Sequence, residues 1–181
     1  GATLVPLAGR PLFAAKSRDR DAIAKSKLGP VCRICYKCLE IAEAVEDFES
    51  LFIKRERIGK KLVEQAARMK VRHNPLSVYM LFGKPNEGRE IIWVEGQNDN
   101  EILVHETGIK SVVGTLSIDP NGKWAMGENH YPITLSGLPT LFKQLLKQWE
   151  HDALHLPEVE VKFYSNAKIG ETPCRVIETK Q

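Results

Sequence analysis

The residues with the sharpest chemical potential lie close together. Cys32-Arg33-Ile34-Cys35-Tyr36-Lys37-Cys38 places a cysteine at every third position. Thiolates at that spacing suit a soft metal or an iron–sulfur cluster, and Cys174 could be a fourth ligand. The segment also has a helical apolar pattern, with Cys35 and Cys38 on its stripe, where cysteine packs as a small hydrophobe. No further CxxC pair and no histidine at finger spacing completes a zinc site, and no histidine follows Cys35 to mark haem attachment. Core packing or a disulfide is the preferred reading, ahead of a metal site or a catalytic thiol.

His151 and His155 stand one turn apart in a helical stretch, a spacing that can bind a metal. The catalytic glutamate of the HExxH pattern is missing, so the pair reads as solvated. His73, His105 and His130 are scattered, no serine or cysteine lies in a nucleophile motif, and no glycine-rich phosphate loop occurs. These residues predict a non-enzymatic protein with no catalytic residues, no metal site and no cofactor. In Lys54-Arg55-Glu56-Arg57, on a strand, Lys54 and Glu56 face one way and Arg55 and Arg57 the other. Lys54, Arg55 and Arg57 are candidates for a basic rim that contacts an anion or a headgroup. The competing reading is a solvated, self-paired strand face, and it applies equally to the row Arg68, Lys70 and Arg72.

The elements that position these residues centre on 68–106. Strand-like runs at 76–82, 91–94 and 102–104 alternate with clusters of Gly, Pro, Asn and Asp, the sequence form of an antiparallel meander. The connections are too short for the crossover helix that parallel strands need. Two earlier runs, 48–58 and 63–73, form a hairpin with one buried face (Val63, Ala67, Met69, Val71) and one wet face (Glu64, Arg68, Lys70, Arg72). A further strand is expected within 108–119, after a short helical turn near 109–113. The stretch 124–134 reads as a loop carrying large apolar side chains, of the kind that closes over something.

Two principal helices are expected. The first starts at the Gly29-Pro30 break and ends near Glu46, with Val31, Ile34, Cys35, Cys38, Ile41 or Ala42, and Val45 as its apolar stripe. The second covers 137–156, with Leu138, Leu141, Phe142, Leu145, Trp149, Ala153 and Leu156 as its stripe. Strands at 159–164 and 174–179 finish the chain. Residues 1–29 read as a tail or linker and 30–181 as one domain. The sequence starts with Gly rather than Met, which is compatible with a removed export signal. It stops just after a strand, so the far sheet edge is either covered or lacks strands that once followed.

The totals exclude little. A chain of 181 residues with 43% hydrophobic and 27% charged content is ordinary for one globular domain. A net charge of +3, from 26 basic and 23 acidic residues, is too balanced to predict nucleic-acid binding. No run is long and apolar enough for a transmembrane segment.

Several phrases carry a joint resemblance. They are Phe52-Ile53-Lys54-Arg55-Glu56-Arg57; Lys70-Val71-Arg72-His73 with Pro75-Leu76-Ser77-Val78-Tyr79-Met80; Gly88-Arg89-Glu90 with Val94-Glu95-Gly96-Gln97-Asn98; Leu116-Ser117-Ile118-Asp119-Pro120-Asn121-Gly122; Ala125-Met126; Tyr131-Pro132-Ile133-Thr134 with Gly137-Leu138; and Thr172-Pro173-Cys174. From the first helix to Gln181 the chain resembles domain of unknown function 1571, a family of bacterial envelope proteins frequent in planctomycetes. The resemblance implies an exported, periplasmic protein with a fold similar to the periplasmic lipoprotein carriers. Those have an unclosed antiparallel barrel around an apolar cavity, with helices as lid and plug. Members of the family usually continue past the Pro-Cys strand, which this chain does not. In an exported protein, a disulfide between Cys174 and one of Cys32, Cys35 and Cys38 would staple helix to sheet.

The expected fold is therefore α+β: a curved antiparallel sheet forming a half-open barrel, with the two main helices on its concave side. The expected function is non-enzymatic binding of a lipid, a lipoprotein acyl chain or a similar apolar ligand. Its cavity would be lined by Val71, Val78, Met80, Phe82, Ile91, Trp93, Phe142, Leu145 and Trp149. The alternative is an envelope protein–protein interaction module in which those side chains simply fill a core.

Overall fold

Alternation of apolar and charged residues between short turns yields six strands in chain order: β1 Asp47–Ile58, β2 Lys61–His73, β3 Leu76–Phe82, β4 Glu90–Val94, β5 Ile102–His105 and β6 Thr115–Ile118. The computed structural model describes residues 17–108, 112, 114–156 and 158–180. Each strand pairs antiparallel with the next, so among the described residues the sheet is an open meander with β1 and β6 at its edges. The helices are α1 Ser17–Lys25, α2 Gly29–Glu43, the short α3 Lys123–Met126 and α4 Leu138–His155. The last two strands, β7 Glu160–Ile169 and β8 Thr172–Lys180, form a separate two-stranded sheet. The structure thus bears out an α+β chain built on an open antiparallel sheet, and adds the second sheet. The expected helical turn near 109–113 and residues 1–16 of the expected tail lie outside the described residues, apart from Val112.

The chain divides into two compact units, residues 38–143 and residues 1–37 with 144–181. The first holds the six-stranded sheet, whose register stacks apolar residues on one face. Phe48 lies opposite Val71, Val71 opposite Val78, and Val78 opposite Trp93. A second row runs Met69, Met80, Ile91, Val104, Leu116 across β2 to β6. Ala67, Val71, Val78, Met80, Trp93, Ile102 and Val104 are buried together, with Phe52, Phe82, Ala125 and Ile133 packed against them. Burying a side chain of this size contributes about 1.5–3 kcal/mol, so this face holds the sheet in one register. The other face is wet, with ion pairs Arg55–Glu64 at 2.8 Å and Arg68–Glu49 at 3.1 Å.

In the second unit, α1 takes part of the stretch read as a tail, and Ile23 and Leu28 are buried. Gly29 is required where α2 begins: a Cβ there would sit 2.5 Å from the Ala24 carbonyl oxygen. Within α2, which runs on into the first unit, the buried side chains are Val31, Cys32, Cys35, Leu39 and Ala42, one face of the helix. This rotates the helix from the expected stripe. Cys32 and Leu39 are in, Cys38 is only half-buried, and Ile41 is exposed. In α4 the fully buried positions are Leu146 and Asp152, neither on the expected stripe, while Leu141, and Leu156 just past the helix end, are exposed. Asp152 tolerates burial because Gln148 Nε2 donates to its carboxylate at 2.8 Å.

Candidate functional site

The sheet's apolar face is the feature onto which most of the candidate side chains converge. Strand alternation sends Val78, Met80 and Phe82 of β3 to one side, and the register brings Trp93 and Ile91 of β4 to the same side beside them. Val71 joins from β2. Val71, Val78, Met80 and Trp93 are buried, and Phe82 and Ile91 are partly buried against them. The Trp93 indole N–H donates to the Asn100 carbonyl oxygen at 3.0 Å, so this large ring is fixed at its polar tip. Phe142, Leu145 and Trp149 are half-buried on α4.

Within this unit, residues 123–135 lie over the apolar face through Ala125 and Ile133. The segment contains α3 and a 3₁₀ turn at Ile133–Leu135, and neither has a fully buried residue. Polar contacts to the β1–β2 hairpin hold it down instead. Lys54, only 6% exposed on the apolar side of β1, donates from Nζ to the Glu128 carbonyl oxygen at 2.7 Å and to Asn129 Oδ1. Glu128 accepts from Lys61 Nζ and Gln65 Nε2, each at 3.0 Å. The His130 backbone N–H donates to Glu56 at 3.2 Å, and His130 Nε2 lies 3.0 Å from the Arg57 carbonyl oxygen.

The electrostatics follow from that arrangement. Burial pushes the Lys54 ammonium below the usual lysine range, while the charges of Glu56 and Glu128 oppose it. The hydrogen bond from Lys61 holds the Glu128 carboxyl below its ordinary value, against partial desolvation. The three basic rim candidates are therefore split. Lys54 points into the apolar side as a tether, Arg55 is spent on Glu64 on the wet face, and Arg57 is exposed there. At the far end of β3, Arg89 pairs with Glu106 at 2.9 Å and lies over the Phe82 ring at 6.0 Å.

Glu128, Asn129, Gln65 and His73 were not among the expected site residues. The available signal was Lys54 itself: a lysine at an inward position of an alternating strand needs partners from elsewhere in the chain. His73 also sits on the apolar side, its Nδ1 2.6 Å from the Val45 carbonyl oxygen and its Nε2 buried without a hydrogen-bond partner. A shallow depression of about 390 Å³ lies toward the wet side, lined in part by Glu49, Lys70, Arg72, Ser77 and Tyr79.

The remaining chemical candidates are dispersed. Cys32 and Cys35 are buried, Cys38 and Cys174 half-buried, and all four are thiols in this structure. Burial, with the nearby Glu150 charge, pushes the Cys32 thiol up to about 11. Tyr36, whose hydroxyl donates to Glu150, is likewise raised, first by desolvation. His151 and His155 stack at 4.4 Å, and His155 Nδ1 lies 2.8 Å from the His151 carbonyl oxygen. Among the described residues no three His, Cys, Asp or Glu side chains are grouped to hold a metal ion, and no helix is long and apolar enough to cross a membrane.

Comparison with known proteins gives one result for this architecture. The family model described as "Protein of unknown function (DUF1571)" matches residues 45–181, from just before β1 to the end of the chain. No curated protein and no solved structure matches. Because that match takes in the whole six-stranded sheet, the segment over it and the terminal hairpin, the chain belongs to the DUF1571 family of proteins of unknown function.

Proposed function

We propose that this protein binds an apolar ligand (a lipid or a lipoprotein acyl chain) on the apolar face of the six-stranded sheet, without catalysing a reaction. Residues 123–135 act as its cover. One observation carries the reading: this broad apolar face is overlaid, within its unit, by a short segment held by polar tethers rather than by buried side chains of its own. Such a segment opens at low cost compared with unfolding the sheet. Each methylene of an entering chain would contribute about 0.8 kcal/mol on leaving water. Lys54, once released from Glu128 and Asn129, lies at the margin of the face. A carrier-like fold and a cell-envelope location, which the family resemblance implies, fit the same reading, with a half-open barrel as the working form.

Titration with a fluorescent fatty-acid probe tests it. Saturable binding with a blue-shifted emission, strengthened in Lys54→Met because the cover is loosened, is the expected result. Absence of binding in both proteins would overturn the reading and leave a filled core.

A further inference from the structure

Among the described residues β1 is an edge strand, long and regular for that position. It is 12 residues long, carries no proline and contains no irregularity in its register with β2. Natural edges are commonly blunted by such features, because an open row of backbone donors and acceptors invites pairing. The His73 N–H donates to the Glu46 carbonyl oxygen, one step before the Asp47–Arg72 pair. Since antiparallel pairs alternate in hydrogen bonding, the even-numbered residues of β1 direct their backbone groups at β2. The odd-numbered residues, 47 to 57, direct theirs at the open edge. Their side chains are all exposed on the wet face, and they include Leu51 at 70% and Ile53 at 72% exposure.

Read along the strand, those odd positions are Asp47, Glu49, Leu51, Ile53, Arg55 and Arg57. Acid, apolar and basic pairs follow one another, so the series is complementary to itself when reversed. Two copies of β1 placed antiparallel with Phe52 opposite Phe52 set Leu51 against Ile53, Glu49 against Arg55 and Asp47 against Arg57. A shift of two residues in either direction spoils this, by setting Glu49 against Ile53 or Leu51 against Arg55. The charges already paired within one copy extend the pattern. The row would read Lys70, Glu49, then Arg55 and Glu64 of the second copy, with the sign alternating at each step. Cross-strand pairs of this type stabilise a sheet, and like charges opposite one another destabilise it.

We infer that β1 is a homodimerisation edge: two copies of this chain join antiparallel through β1, about a two-fold axis at Phe52, into one continuous sheet. A two-fold contact uses the same patch on both copies, which is what the reversed series supplies. The His130 contact to the Arg57 carbonyl oxygen sets the end of the backbone pairing. The inference does not depend on the apolar-ligand reading, since it uses the opposite face and the edge.

Sedimentation equilibrium of the full chain, with two charge variants checked for folding by circular dichroism, tests it. The wild type is expected to dimerise at micromolar concentration. Glu49→Arg places arginine against arginine and Arg55→Glu places glutamate against glutamate, so each alone should weaken association at least tenfold. Mixed together, the two variants restore both ion pairs, and a heterodimer should form with near wild-type affinity. A wild type that stays monomeric at 100 micromolar would overturn the inference and leave the edge to an extended segment of another protein. So would a dimer that both variants leave unchanged, or variants that fail to rescue one another.

Discussion

Lys54 and Arg55 are neighbours in sequence and both basic, yet their environments have nothing in common. Strand alternation buries Lys54 on the apolar face, where the Glu128 carbonyl and Asn129 complete its hydrogen bonding. It leaves Arg55 in water, 2.8 Å from Glu64, in a pair that solvent screens. The same division runs across β4, where Trp93 is buried and Ile92 is 42% exposed. Composition alone cannot separate these residues. The period of two separates them, and it makes one face the core and candidate ligand surface and the other the surface on which association is read.

The comparison breaks most visibly at Trp93. Trp93→Ala should cost about 4 kcal/mol by emptying the core between β3 and β5, whereas Ile92→Ala on the other face should stay within about 1 kcal/mol. Urea denaturation of both variants measures the difference, and similar midpoints would mean the apolar face is not the stabilising one. A smaller effect is expected at the tether. Lys54→Met leaves the Glu128 carbonyl and Asn129 without their donor, a loss of about 1–2 kcal/mol after relief of the lysine's desolvation. Arg55→Met should cost about 0.5 kcal/mol or less. Amide exchange should accelerate in residues 123–135 for the first variant and not for the second.

The smallest effect concerns pH. The Glu128 carboxyl is held below its ordinary value of 4.5, so its contribution is fully present above that value. It is lost as the pH falls through the lower folded value, because the folded form must then take up a proton it holds less readily than the unfolded chain. Exchange protection of residues 123–135 should therefore decline below about pH 4.5 in the wild type. In Glu128→Gln this step should be absent, and salt should flatten it.

Much of this was legible in the sequence. The hairpin and meander follow from period-two patterning between Gly, Pro and Asn turns, and the paired faces of β1 and β2 were readable residue by residue. The two main helices are legible but their rotation is not, because Cys38 and Ile41 look as apolar as Cys32 and Leu39, and which side is buried is decided by packing rather than by local pattern. Asp152 illustrates the same limit: a charged residue is buried in α4 because Gln148, one turn earlier, satisfies it. The terminal hairpin was visible as two strands, but its pairing apart from the larger sheet depends on tertiary context that no period records. Helix α1 leaves no apolar stripe to read, since Ile23 is the one buried side chain among those described in it. The contacts of Glu128 and Asn129 with β1 span more than seventy residues and leave no local trace.

Native mass spectrometry with organic extraction, on protein purified without detergent, tests the central claim most directly. The proposed function predicts an added mass of one lipid or fatty acid per chain, extractable by organic solvent and lost from a Trp93→Ala variant that remains folded. An apo mass that persists after incubation with excess lipid would contradict it, and would leave the apolar face as a filled core beneath residues 123–135.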